Sequence, residues 1–346
     1  MFGKKQPKHK LAVIGDSLAQ GFQNGGIYRT DINFPSFIRR CFNPRPDFDQ
    51  PLFTAQAGIP MNLDVILRGL EDEFGPTIEW DEYSGAASHT IKTLKRIKSY
   101  WEGEKKDLRV LRDTPFHNQA VWGFAVNDTW MVNEKNSREF IEDHKERYSV
   151  FGMLPEHAKY TTARMVLNPS FDPTLQERSQ IDNIEALHQD GGVENLIACI
   201  GHNNALGAVV NMQFKWSEPE DLETFMAFRK HSVYRPEHFE IEYRKFAERI
   251  ARIGVQRVFV PTIPYPTIAP VCRGVNSQYS ANHLGYYDYY TRFWIWDEDF
   301  DPEKHPHLTK DQAIQLDFTV DEYNSIIRKT AREFGFHVVP MAKNVA

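Results

Sequence analysis

Cysteine is scarce in this chain of 346 residues: Cys41, Cys199 and Cys272 are the only three, they lie far apart, and no C-x-x-C pair exists. That pattern argues against a zinc ribbon and a disulfide framework and leaves three reduced, inert thiols as the simple reading. No apolar run approaches the ~18 residues a membrane-crossing helix needs, so no transmembrane segment is expected. There is no excess of basic charge either. Lys and Arg number 41 against 47 Asp and Glu, a net charge of −6, whereas a nucleic-acid partner calls for a basic balance. The phosphate-loop pattern G-x-x-x-x-G-K-[ST] and the zinc-protease pattern H-E-x-x-H are both absent, so neither a nucleotide nor a metal is indicated. The tail Met-Phe-Gly-Lys-Lys-Gln-Pro-Lys-His-Lys carries the charge of a secretory n-region. Only Leu11-Ala-Val-Ile14 follows before Gly15, too short for a signal h-region, and a cytoplasmic location is expected.

What is abundant is aromatic side chain: 24 Phe, 14 Tyr and 7 Trp, in a composition of 41% apolar and 25% charged residues. Such a chain has a sizeable core to bury. Short apolar runs ended by turn residues recur at Leu11–Ile14, Ala120–Val121, Leu196–Ile200, Val258–Val260 and His337–Val339. Runs apolar on both faces suit parallel strands covered by helices. Helical periods fall between them, over 221–228, 239–253 and 323–334, the last closed by Gly335 as a C-terminal cap. The alternation indicates an α/β fold with a parallel sheet. The stretches near 45–115, 130–190 and 265–320 are long and rich in Pro, Asp, Asn and aromatics. They are read as insertions in a single domain spanning 1–346.

The sharpest local signal is Val13-Ile14-Gly15-Asp16-Ser17-Leu18, an apolar strand that ends directly on Gly-Asp-Ser. In parallel α/β sheets ligands gather at the carboxyl ends of strands, where a serine hydroxyl can act as nucleophile. The simpler alternative is that Asp16 and Ser17 merely cap a helix.

These residues resemble the first block of the GDSL, or SGNH, hydrolases. The resemblance implies a flavodoxin-like three-layer α/β/α sandwich with a five-stranded parallel sheet. It also implies esterase, lipase or acylhydrolase activity without a cofactor, on a small-molecule, lipid or carbohydrate ester. A second block, Asn118-Gln-Ala-Val-Trp-Gly123-Phe-Ala-Val-Asn-Asp128, is similar to the family's N-x-A-V-x-G-x-x-V-x-D and assigns Gly123 as a backbone oxyanion donor. Ser84-Gly85-Ala86 is a rival for that block but lacks a preceding apolar strand. The third block, Gly201-His202-Asn203-Asn204, resembles G-x-N-D with Asn204 in place of the Asp, and it assigns the side-chain amide of Asn203 to the oxyanion. By this likeness Ser17, Gly123 and Asn203 form the oxyanion hole, with Asp16 and His202 lining the substrate site.

The base is where the pattern departs. The family's D-x-x-H does not occur anywhere in the chain. A near match is Asp301-Pro-Glu-Lys-His305-Pro-His307, with one residue too many between acid and imidazole. Three readings stay open: Asp301 with His305 as the acid–base pair, His307 as the alternative base, or a fragment whose histidine lies beyond residue 346. Without a base, the same domain would be an ester-binding module that does not turn over.

Overall fold

A computed structural model describes residues 6–53, 58–101, 109–144, 155–224, 230–276 and 285–345. The helices in chain order begin with α1 (Ser17–Gln20), α2 (Phe34–Arg40), α3 (Leu63–Phe74) and α4 (Tyr83–Trp101). They continue with α5 (Asp128–Met131), α6 (Glu134–Asp143), α7 (Pro155–Leu167) and α8 (Gln180–Gln189). The last four are α9 (Asn203–Asn211), α10 (Pro236–Ile253), α11 (Lys310–Phe334) and α12 (Met341–Val345). Strands β1 (His9–Gly15), β2 (Val193–Cys199) and β3 (Arg257–Pro261) join β7 (His337–Val339) in a parallel four-stranded sheet ordered β1-β2-β3-β7. A separate antiparallel sheet holds β4 (Cys272–Gly274), β5 (Tyr289–Arg292) and β6 (His307–Thr309). The chain is thus mixed α/β, as the alternation of apolar runs and helical periods predicts. No helix among the described residues is long and apolar enough to cross a membrane.

Contacts gather the chain into two compact units: residues 1–123 with 132–197, and residues 124–131 with 198–346. In the first unit β1 is buried along almost its whole length because Leu11, Ala12, Val13 and Ile14 have apolar neighbours on both faces. The stretch 117–121 runs beside it. Val13 N–H donates to His117 O (2.8 Å), Gln119 N–H to Val13 O (2.9 Å) and Val121 N–H to Gly15 O (3.0 Å), the spacing of a parallel ladder. The apolar run at 120–121 therefore does lie against β1, although it is too short to extend as a regular strand. Gln180, buried at the start of α8, donates to both Gly15 O (3.0 Å) and Gln119 O (2.8 Å) and ties the two segments together.

The expected insertions have distinct structures. The 45–115 stretch contributes α3 and α4, and the rival Ser84-Gly85 block lies inside α4 rather than at a strand end. The 130–190 stretch contributes α6, α7 and α8, with buried Glu134 of α6 held by Arg164 of α7 at 2.8 Å. The 265–320 stretch carries the antiparallel sheet.

In the second unit α10 and α11 pack through aromatic rings. Phe239 stacks on Tyr323 (centroids 4.0 Å apart, planes at 12°) and on Tyr243 (5.4 Å). Asn324 of α11 clamps the end of β3: its Oδ1 accepts from Ile263 N–H (2.7 Å) and its Nδ2 donates to Ile263 O (2.9 Å). The helix expected over 323–334 begins earlier, at Lys310, because Thr309 and Gln312 form a capping box there. It ends on Gly335 in the left-handed conformation (φ 73°), as the sequence indicates. The helical period over 221–228 does not give a helix at its start. A single 3-10 turn, Pro219–Asp221, is followed by Glu223 at φ 55°, which breaks the helical path; residues 225–228 lie outside the described residues.

Candidate active site

Ser17 is the first residue of α1, immediately after β1. Asp16 is the cap. It is fully buried, and its carboxylate accepts Leu18 N–H at 3.2 Å, so the capping alternative describes Asp16 well. Ser17 itself is half-buried, beside Leu18 (44% exposed) and Phe22 (36%).

Three contacts fasten α1 to the segment that leads to Gly123. Asn118 Nδ2 donates to Ala19 O (3.0 Å), Trp122 N–H donates to Gln20 Oε1 (2.8 Å), and the rings of Phe22 and Trp122 lie 5.5 Å apart. Val121 N–H to Gly15 O is the last rung of the ladder. Ser17 and Gly123 therefore each stand two residues beyond that rung on neighbouring parallel segments, so they leave the same edge of β1 together. Gln20 is a participant that sequence reasoning missed, because a glutamine inside a short helix carries no motif of its own.

Gly123 has a positive φ of 77°, a region glycine enters freely and other residues enter at a cost. A Cβ at this position would sit 2.9 Å from Lys159 Cδ. The space that the absent side chain leaves is thus filled by a lysine stem from α7. Sequence reasoning missed Lys159 too, since nothing in the α7 sequence links it to position 123.

Asn203 and His202 belong to the second unit. His202 is buried at the N-cap position of α9, and Asn203 opens the helix after β2. Asn203 Nδ2 donates to Phe124 O at 2.8 Å, which uses one of the amide's two N–H groups. Asn204, the departure from G-x-N-D, is buried and accepts Val126 N–H through Oδ1 at 3.1 Å. An amide oxygen meets that donor as a carboxylate would, without burying a charge. Asp128, the last residue of the second block, likewise accepts Ala125 N–H at 2.8 Å. The polar residues of 124–128 and 203–204 thus brace one another's loops.

Asp301, His305 and His307 are also in the second unit. The Asp301 carboxylate binds Lys304 Nζ (2.6 Å) and Glu303 N–H (2.9 Å), and Lys304 holds it below the ordinary carboxyl range. His305 Nδ1 accepts the backbone N–H of Asp301 at 3.0 Å. The acid and the imidazole are therefore joined through the main chain, not through the carboxylate, and a neutral His305 carries its proton on Nε2. His307 differs: its Nδ1 lies 2.9 Å from His305 O. A carbonyl only accepts, so Nδ1 bears the proton and Nε2 keeps the lone pair.

No family model, curated protein or solved structure matches the chain.

Proposed function

We propose that the protein is a serine ester hydrolase built on the flavodoxin-like arrangement, with 117–121 acting as the fifth parallel segment at the β1 edge. The observation that carries this reading is the ladder ending at Val121–Gly15, which sends Ser17 and Gly123 from one strand edge in the same register. Three sequence blocks in the order the SGNH hydrolases use support it further.

In this reading Ser17 Oγ attacks the ester carbon while an imidazole Nε2 takes its proton. The backbone N–H groups of Ser17 and Gly123 hold the developing oxyanion. Collapse of the tetrahedral species breaks the ester C–O bond, and the imidazolium returns its proton to the departing alcohol. Water repeats the sequence on the acyl-serine. Leu18 and Phe22, exposed beside Ser17, offer the acyl chain an apolar rest. Of the two histidines, His307 has the tautomer a base requires.

The test is hydrolysis of p-nitrophenyl acetate by wild type and Ser17→Ala. Loss of turnover with unchanged circular dichroism supports the nucleophile, and unchanged turnover removes it. The engagement of the Asp301 carboxylate by Lys304 favours a second reading, an ester-binding domain without turnover. Binding of a non-hydrolysable ester analogue by an inactive wild type would favour it.

A further inference from the structure

We propose that α2, with the flanking segments at Ile32 and Leu52, is a docking surface for an anionic lipid membrane. The inference concerns where the protein binds and does not rest on the hydrolase reading.

The two faces of α2 are reversed. Asn33, which caps the helix, and Ser36 are buried, and their polar atoms are engaged inside the protein. Asn33 Oδ1 accepts Ser36 N–H (2.9 Å), and its Nδ2 donates to Gln20 O (3.2 Å) and Gln50 Oε1 (2.9 Å). Ser36 Oγ accepts from Gln50 Nε2 (2.9 Å). Phe34, Phe37 and Ile38, spaced i, i+3 and i+4, share another face. Phe37 is 51% exposed, and Ile38 is exposed as well. Thr30 Oγ1 donates to Pro51 O (2.6 Å), which fastens the segment carrying Leu52, 72% exposed, to the turn that carries exposed Ile32. Large apolar side chains thus meet water on adjoining segments, where a surface helix ordinarily places polar ones.

Charge decides the occupant. Over 29–52, Arg29 pairs with Asp31 (3.0 Å), and Asp49 pairs with Arg112 (2.9 Å). Arg39, Arg40 and Arg45 then stand against Asp47, in a chain whose net charge is −6. The Arg40 guanidinium lies 5.0 Å from the centre of the Phe37 ring, so a cation and an exposed aromatic sit together. A purely apolar partner would leave these arginines unused, and a nucleic acid would leave Ile38 and Leu52 unused. An anionic bilayer uses both: bulky apolar side chains enter the acyl boundary, and cations beside them meet the headgroups. Two such signals acting together hold a protein where either alone binds weakly. α1 lies close by, since a Cβ on Gly21 would stand 2.9 Å from Asn33 Cβ. Docking through α2 therefore brings exposed Leu18 and Phe22, and Ser17 with them, near the lipid.

The experiment floats the full chain with vesicles of phosphatidylcholine alone or of phosphatidylcholine with phosphatidylserine. Wild type is expected to rise with the anionic vesicles, far less with the neutral ones, and to be released by added salt. Two double variants remove one signal each: Phe37→Ser with Ile38→Ser, and Arg40→Gln with Arg45→Gln. All four side chains are exposed, and near-ultraviolet circular dichroism confirms that both variants are folded. At about fivefold per cation, the arginine variant loses ~10–30-fold in partitioning onto anionic vesicles. The apolar variant loses at least ~10-fold. A wild type that stays in the buffer, or rises equally with both vesicles, overturns the proposal. Either folded variant binding as wild type does overturns it too. A wild type that light scattering shows to be a dimer, and that becomes a monomer in the Phe37→Ser, Ile38→Ser variant, gives the face to a second copy and overturns it as well.

Discussion

Gly123→Ala places one methyl group at a position where backbone conformation and packing are both demanding. The native φ of 77° is left-handed, and holding alanine there costs about 1–2 kcal/mol. The new Cβ also arrives 2.9 Å from Lys159 Cδ. Lys159 is buried, so its stem shifts only by disturbing its neighbours, an overpacking cost of about 1–3 kcal/mol. Together these give a loss of about 2–5 kcal/mol in the unit formed by 1–123 and 132–197. At roughly 2–4 °C per kcal/mol for a domain of this size, the Tm of that unit falls by ~4–20 °C. Differential scanning calorimetry reads the shift, and the double variant with Lys159→Ala separates its two parts. Removing the lysine relieves the contact but not the backbone cost, so the double variant is less destabilised than the two single effects added. A Gly123→Ala protein that melts within about 1 °C of wild type would refute both the conformational and the packing argument.

Two buried groups make stability depend on pH in opposite senses. Burial, with nearby His9 adding to it, lowers the pKa of His117 to about 4; its Nε2 meets His9 Nδ1 at 2.9 Å and its Nδ1 accepts Asp49 N–H at 2.9 Å. The unfolded chain therefore binds the extra proton first. Stability present above ~6.5 is lost as pH falls towards 4, by on the order of 3 kcal/mol, and His117→Asn removes that loss in urea titrations at pH 4 and 7. Burial raises Asp317 to about 6, against the pull of Thr267 and Tyr286, which donate to its Oδ2 at 2.6 and 2.9 Å. Here the folded state binds the proton first. Stability falls as pH rises from ~4 through 6, by on the order of 2–3 kcal/mol, and Asp317→Asn is expected to raise urea resistance at pH 7 and not at pH 4. Opposite outcomes for either variant would overturn the sign of its argument.

The fold was legible wherever a run is apolar on both faces. Leu11–Ile14, Val258–Val260 and His337–Val339 became strands, as did Leu196–Ile200 up to Cys199, and Gly335 stopped the last long helix. The limits are equally physical. Ala120–Val121 sits on the β1 edge but pairs by isolated rungs, because the chain turns away at Trp122–Gly123. The start of α11 was hidden because the Thr309–Gln312 box is a capping signal that apolar spacing does not register. Within the candidate site, the reason for glycine at 123 was only half visible. The sequence likeness made it a backbone oxyanion donor. The structure puts a buried lysine stem where a side chain would stand and adds a positive φ. The pairing of Asp301 with His305 could not be judged from spacing, since the decisive fact is which atom of Asp301 meets the ring.

The central claim is that Ser17 is a nucleophile. Treatment of the full chain with a fluorophosphonate ester, followed by peptide mapping, tests it most directly. One adduct per chain is expected on the peptide carrying Ser17, absent from Ser17→Ala. An unlabelled protein, or an adduct on another residue that persists in Ser17→Ala, would contradict it.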